Sequence, residues 1–260
     1  MTVSTINDTN KESVIIIGTG SVATHLINHL LSIGTLVIQQ YGRSKPIETK
    51  VPFTNNPKEL RTDASYYIIS VSDDAIDEVS QHLPRVEGIV VHTAGSVGID
   101  IFESRFKNYG VLYPLQSFSN NRTINMLSVP FLIEGNSDQT EIKLLQFAKK
   151  ISNNVYIMSY QERIQIHLAA VFACNFSNYM NTIAEELLKN KNIEFSLLKP
   201  LLQETFEKIL TAKPKDAQTG PAKRNDKEII EKHLKMLTNN PNFQEIYKLV
   251  SKSIADLYKK

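Results

Sequence analysis

The chain has 260 residues, 42% hydrophobic and 22% charged, with ten Gly and ten Pro. That excludes a disordered, collagenous or low-complexity protein and leaves room for one large domain or two modest ones. Lys and Arg total 29 against 27 Asp and Glu, and this balance of +2 excludes the strong basic excess of a dedicated nucleic-acid binder.

The opening stretch MTVSTINDTNKES lacks the charged-then-apolar plan of a signal peptide, and no run approaches the roughly 18 apolar residues of a membrane span. The single cysteine, Cys174, allows no intramolecular disulfide and no cysteine metal cluster. These features predict a cytoplasmic protein with no membrane or nucleic-acid partner.

In chain order, SVIII (13–17) predicts a strand and SVATHLINHLLSI (21–33) a helix stopped by Gly34. TLVIQQY (35–41) and SYYIISV (65–71) are strand-like, and DDAIDEVSQHL (73–83) is a helix stopped by Pro84. GIVVHT (88–93), YGVLY (109–113), VPFLIEG (129–135) and NVYIM (154–158) continue the strand series. Strands alternating with helices predict an α/β fold with a parallel, doubly wound sheet over residues 1–159. From 160 to 260 the apolar residues fall at three-and-four spacing, which predicts an all-helical second domain. Residues 168–176 are apolar almost all round, which predicts a central, buried helix. At about 100° per residue, Val171, Cys174, Asn178 and Asn181 fall within roughly 40° of His167, with Asn175 at about 80°.

The sharpest motif is Gly18-Thr19-Gly20-Ser21-Val22-Ala23, a G-x-G-x-x-A turn straight after a strand and opening a helix. Gly18 permits the turn, Gly20 lets a pyrophosphate approach the backbone, and Ala23 keeps helix and strand close. The free N–H groups and positive end of the helix favour a diphosphate. An NAD site places an acid about 20 residues further on; here Arg43 and Ser44, with Lys45 beside them, suit a 2′-phosphate instead, so the expected cofactor is NADP. The other reading of that run is a solvated turn.

Ligands of open α/β sheets lie beyond the carboxyl ends of the strands. That makes Ser70 and Val71, His92 and Gly95, and Gln116 and Ser117 candidates for cofactor or substrate contact. Ser72 with Asp73 reads more simply as a helix N-cap, His92 as a loop cap or a support of the nicotinamide pocket, and Gln116 and Ser117 as turn residues or substrate contacts. His167 is the candidate proton donor, because imidazole donates or accepts near neutral pH; a satisfied core histidine is the alternative. The six histidines are scattered, and only His25 and His29 share i, i+4 spacing, so no metal site is expected. The stretch KPKDAQTGPAKRNDK has mixed charge and no aromatic residue, and reads as a solvated loop rather than a nucleic-acid contact.

The runs VIIIGTGSVATHL, VVHTAGS, LYPLQSFS, IHLAAVFACNFSNYM and TGPAKRNDKEIIEKHL together resemble a family of uncharacterised proteins that pair a Rossmann-like domain with a helical domain of unknown function. These are distant relatives of pyrroline-5-carboxylate reductase, the deazaflavin-dependent NADP reductases and the 6-phosphogluconate dehydrogenase superfamily. The resemblance implies an NADP-binding first domain, a second domain like the helical one of 6-phosphogluconate dehydrogenase, and a homodimer formed through those helices. Characterised dehydrogenases of that superfamily use a Lys followed by an Asn on the helix that carries His167, and no Lys stands near His167 here. Members often carry Gly between Arg224 and Asp226, where this chain has Asn225, which with Glu228 also reads as an N-x-x-E capping box.

The expectation is an NADPH-dependent carbonyl or imine reductase of a small-molecule substrate held between the domains. His167 would be the acid, Asn175 and Gln116 orienting donors, and Ser117 and Asn178 further substrate contacts. The alternative is a non-catalytic NADP-binding or redox-sensing protein.

Overall fold

The computed structural model describes residues 12–46, 49–119 and 121–259. The chain divides into two compact units, Met1–Cys174 and Asn175–Lys260.

In the first unit, β1 (Ser13–Ile17), α1 (Ser21–Ser32), β2 (Leu36–Tyr41), the short β3 (Phe53–Thr54), β4 (Tyr66–Ile69), α2 (Ile76–His82), β5 (Ile89–His92) and β6 (Tyr109–Pro114) are followed by β7 (Phe131–Gly135), α3 (Asp138–Ile151), β8 (Val155–Ile157) and α4 (Tyr160–Ala170). They build one eight-stranded sheet in the order β3-β2-β1-β4-β5-β6-β7-β8. Successive residues of each strand point to opposite faces, and both faces are covered. Val14, Ile16, Tyr66 and Ile68 pack under Leu26 and Leu30 of α1 and Phe147 of α3. Ile15, Ile17, Tyr67 and Ile69 pack under Ile76 and Leu83 around α2, with Phe102 beside them.

The sheet is not wholly parallel: β7 runs antiparallel to β6, pairing Leu112 with Ile133. Among its described residues the connection from Leu115 to Pro130 holds only a short 3₁₀ turn at Met126–Ser128, too little to carry the chain back to the amino ends of the strands, so β7 returns antiparallel alongside β6. Helix α3 lies outside the expected helices, yet its buried Thr140, Leu144, Phe147, Ala148 and Ile151 carry the three-and-four spacing.

Helix α4 runs into a π-helical turn, Val171–Phe176, and then into α5 (Ser177–Lys189) of the second unit. That unit continues with α6 (Lys199–Thr211), the one-turn α7 (Pro214–Ala217), α8 (Lys227–Met236) and α9 (Pro241–Tyr258). Two expectations need correction here. The run 168–176 is not buried: Leu168, Phe172 and Phe176 are exposed, and so is Cys174, because the chain carries more apolar surface there than it covers itself. A π turn also advances each residue by less than 100°, so the projected alignment of Asn178 and Asn181 with His167 does not carry across it. No described helix is long and apolar enough to cross a membrane.

Candidate functional site

The glycine turn opens a cleft of about 870 Å³ at the carboxyl edge of the sheet, lined by residues 17–22, 41–44 and 70–73, with Val79, His82, Thr93, Gln116 and Phe118 among the others. Gly18 is held from three sides. Its N–H donates to the Tyr41 carbonyl at 2.8 Å, the buried Gln40 side-chain amide donates to the Gly18 carbonyl at 2.8 Å, and the Gly18 φ is +132°. A Cβ there would stand 2.0 Å from the Ser70 carbonyl oxygen, so only glycine fits.

Gly20 is different, since a Cβ there would meet nothing within 4 Å. Its backbone borders open space where a ligand can approach. Helix α1 begins at that point with no side-chain cap and no acidic residue in its first turn, which leaves its first amides available to an anion. The open backbone at Gly20, the uncapped helix and the exposed Arg43 and Ser44 on the same cleft fit a phosphorylated dinucleotide.

Other expected contacts fall unevenly. Thr19, Ser21, Val22, Ser70 and Val71 line the cleft, whereas Ala23 is wholly buried and serves the packing of helix on strand. Ser72 occupies an N-cap position but makes no side-chain cap bond, and it lines the cleft instead. Gln116 also lines it, with its Oε1 accepting the Ser117 N–H at 2.8 Å, which is turn chemistry; Ser117 is exposed beside it.

His92 is completely buried and lies outside the cleft-lining residues. Its Nδ1 accepts the Ala94 N–H at 3.2 Å, and its ring stands edge-on to Phe102. Burial, with the Arg163 guanidinium adding to it, pushes its pKa down to about 3, so the ring is neutral. The geometry makes it the cap of the 94–98 loop.

That loop carries Gly95 into close contact with β6 and α4. A Cβ at Gly95 would sit 2.7 Å from His167 Nδ1 and 2.7 Å from Tyr113 Cζ. Tyr113 Oη and His167 Nδ1 are themselves 3.1 Å apart, at hydrogen-bond distance. Burial, then the charge of Asp73, raises the Tyr113 pKa and keeps its hydroxyl protonated. Asp73 reaches the same loop, accepting a short hydrogen bond from the Ser96 hydroxyl. Tyr113 is the residue that sequence reasoning missed: it reads as part of a strand, and only the fold sets its half-buried hydroxyl against a histidine 54 residues away.

Helix α4 is anchored so as to hold His167 there. Ser159 and Glu162 form a capping box. Arg163, one turn before His167 and completely buried, pairs with Glu134 of β7 at 2.5 Å and donates to the Val97 carbonyl at 2.6 Å. Tyr160 Oη donates to the Ser96 carbonyl at 3.4 Å.

Asn175 and Asn178, the other expected site residues, are exposed and belong to the second unit. In that unit Asn225 takes φ +55°, a left-handed conformation that glycine adopts without strain. The cap of α8 is Asp226, whose carboxylate accepts the Ile229 N–H, and not Asn225. No group of three or more His, Cys, Asp or Glu that could hold a metal occurs among the described residues.

A family signature described as a domain of unknown function (DUF2520) matches residues 129–254. No curated protein matches the chain. Among solved structures, a Bacteroides fragilis protein classed as an NADP oxidoreductase is 38% identical over 95% of this chain and 98% of its own, with a TM-score of 0.89. A Thermotoga maritima protein is 18% identical over 94% of this chain and 98% of its own, at a TM-score of 0.70. An imine reductase from Myxococcus stipitatus, in complex with NADP+, shares the fold at 13% identity, covering 94% of this chain and 92% of its own, with a TM-score of 0.62.

Proposed function

Since the chain belongs to the family of the 38% identical NADP oxidoreductase and carries the DUF2520 region at 129–254, we infer that it is an NADPH-dependent reductase of a carbonyl or imine. The observation that carries this reading is the Tyr113–His167 pair against Gly95, at the same sheet edge as the glycine-turn cleft. The α1 amides and the Gly20 backbone hold the diphosphate, and Arg43 with Ser44 hold the 2′-phosphate. A bound reduced nicotinamide supplies hydride to the carbon of a C=O or C=N bond.

The oxygen or nitrogen of that bond takes a proton from the Nε2–H of the His167 imidazolium. The Nδ1–H remaining on the neutral ring donates to Tyr113 Oη, which fixes the tautomer and the ring's direction. Tyr113, kept protonated by its buried setting, donates its own hydrogen onward or restores the contact when His167 is recharged. Gly95 admits this pairing because it has no side chain.

We also infer a homodimer, supported by the exposed Tyr179, Met180, Leu187, Leu201 and Leu210 of the second unit, which a second copy would cover. Light scattering giving a monomer at micromolar concentration would overturn it.

The test of the activity is NADPH titration by fluorescence, then NADPH oxidation with a panel of imines, ketones and 2-oxo acids. Turnover that falls at least about a hundredfold in His167→Ala and more modestly in Tyr113→Phe, with NADPH affinity kept, supports the assignment. Tight NADPH binding with no turnover across the panel favours a redox sensor. A protein that binds no NADPH defeats both readings.

A further inference from the structure

We propose that Asp73 is a positioning residue: from the dinucleotide cleft, through the Ser96 hydroxyl, it holds the loop 94–98 where Gly95 seats against Tyr113 and His167. The consequence for turnover rests on the reading above; the placement of the loop does not. Asp73 lines the cleft and opens a short 3₁₀ turn, Asp73–Ala75, just beyond β4. Its backbone is fixed there. The Ser70 N–H donates to the Ile17 carbonyl at 2.6 Å, the Ser70 carbonyl leaves Gly18 no room for a side chain, and the Ala75 N–H donates to the Ser72 carbonyl at 2.9 Å. Ser72 makes no side-chain cap bond, and the Asp73 carboxylate turns to Ser96.

The backbone of the loop is gripped by other residues. His92 Nδ1 accepts the Ala94 N–H at 3.2 Å, Tyr160 Oη donates to the Ser96 carbonyl at 3.4 Å, and Arg163 Nη2 donates to the Val97 carbonyl at 2.6 Å. Among the described hydrogen bonds of 94–98, only the one from Ser96 Oγ to Asp73 Oδ2 reaches a residue that lines the cleft. Gly95 sits between these ties. A Cβ on it would stand 2.7 Å from both His167 Nδ1 and Tyr113 Cζ, so its backbone lies against both rings and a displaced loop disturbs them directly.

The carboxylate also acts on the pair through space. Burial first, then the Asp73 charge, raises the Tyr113 pKa, so the carboxylate is near enough to act on the hydroxyl that stands 3.1 Å from His167 Nδ1. Gly18, Ser70, Asp73, Ser96 and Gly95 thus link the glycine turn to the Tyr113–His167 pair, each carried on a strand end or the connection just beyond it. A hydride donor held at the glycine turn and a proton donor on α4 have to meet within about 0.5 Å of the productive geometry. The Asp73–Ser96 bond keeps the two in register.

The test begins on the full chain without cofactor, with ¹⁵N spectra of the histidine rings and His167→Ala to identify the His167 signals among the six histidines. Ser96→Ala and Asp73→Ala are expected to move those signals in the same direction, and the double variant no further than the larger single effect. Asp73→Asn lacks the charge, as Asp73→Ala does, but its amide oxygen still accepts the Ser96 hydroxyl, so it should bring the signals most of the way back. With NADPH and a substrate that is turned over, kcat should fall roughly five- to fiftyfold in Ser96→Ala. NADPH affinity, read by fluorescence, should hold in that variant, because Ser96 is not among the residues lining the cleft. Wild-type His167 signals in Ser96→Ala, equal signals in Asp73→Asn and Asp73→Ala, or a wild-type kcat in Ser96→Ala overturns the proposal. Should the ring signals respond as expected while no substrate of the panel is turned over, Asp73 still positions the pair and the reductase reading falls.

Discussion

Replacing Gly18 and Gly20 one at a time separates a glycine that the fold requires from one that the ligand requires. In Gly18→Ala the new methyl would lie 2.0 Å from the Ser70 carbonyl oxygen, on backbone at φ +132°. Strain of about 1–3 kcal/mol from the backbone and about 1–3 kcal/mol from overpacking gives a loss of roughly 2–6 kcal/mol. For a unit of this size each kcal/mol moves Tm by about 2–4 °C, so Gly18→Ala should melt roughly 4–24 °C lower. In Gly20→Ala the backbone is at φ −77° and the methyl meets nothing within 4 Å, so Tm should hold or rise by a few degrees as the unfolded chain loses freedom. The same methyl stands where a pyrophosphate must approach, and a clash of about 1–3 kcal/mol weakens NADPH roughly 5- to 150-fold. Thermal scans and fluorescence titrations of both variants read the two quantities. A Gly20→Ala protein that binds NADPH like wild type, or a Gly18→Ala protein that melts with it, would refute the division of labour between the two glycines.

The buried, neutral His92 makes stability depend on pH. Its folded pKa, about 3, lies below the unfolded value of 6.5, so between them only the unfolded chain takes up the proton. Its contribution is therefore complete above about pH 6.5 and declines by up to about 1.4 kcal/mol per pH unit as pH falls towards 3, and denaturant titrations of His92→Gln should lack this slope. Arg163→Met leaves the Glu134 carboxylate without its buried partner and should cost about 3–5 kcal/mol by chemical denaturation, with part recovered in the Arg163→Met, Glu134→Gln double variant. Arg43→Ala should weaken NADPH about tenfold and leave NADH unchanged in parallel titrations; equal weakening of both would remove Arg43 from the 2′-phosphate.

Much of the glycine-turn end of the first unit was legible in the sequence because it is built from local chemistry. A strand, a glycine turn and a helix lie within residues 13–32, and each reports its conformation through its own residues. The roles of the two glycines likewise follow from what a Cβ would do, and the contrast of Ser70 against open space only makes them measurable. Helical periodicity from 160 onward takes in α4 of the first unit as well as the helices of the second, and the π turn at 171–176 defeats any projection that assumes one regular helix.

The proposed reacting end was less legible because its groups come from separate stretches. Gly95, Tyr113 and His167 meet only after β5, β6 and α4 are laid side by side, and no local pattern around Tyr113 distinguishes it from any strand tyrosine. The fate of His92 was settled by the same means: a polar residue at a strand end looks like a ligand contact until the packing of Phe102 and the 94–98 loop encloses it.

The amino-acid sequence alone determined the α/β class, the helices of the second half and the strand-glycine turn-helix at 13–32, because apolar period and glycine stereochemistry act over a few neighbouring residues. Tertiary structure alone decided the antiparallel return of β7 and the Tyr113–His167 pair. These depend on which distant segments become neighbours, and that is set by burying both faces of one sheet at once.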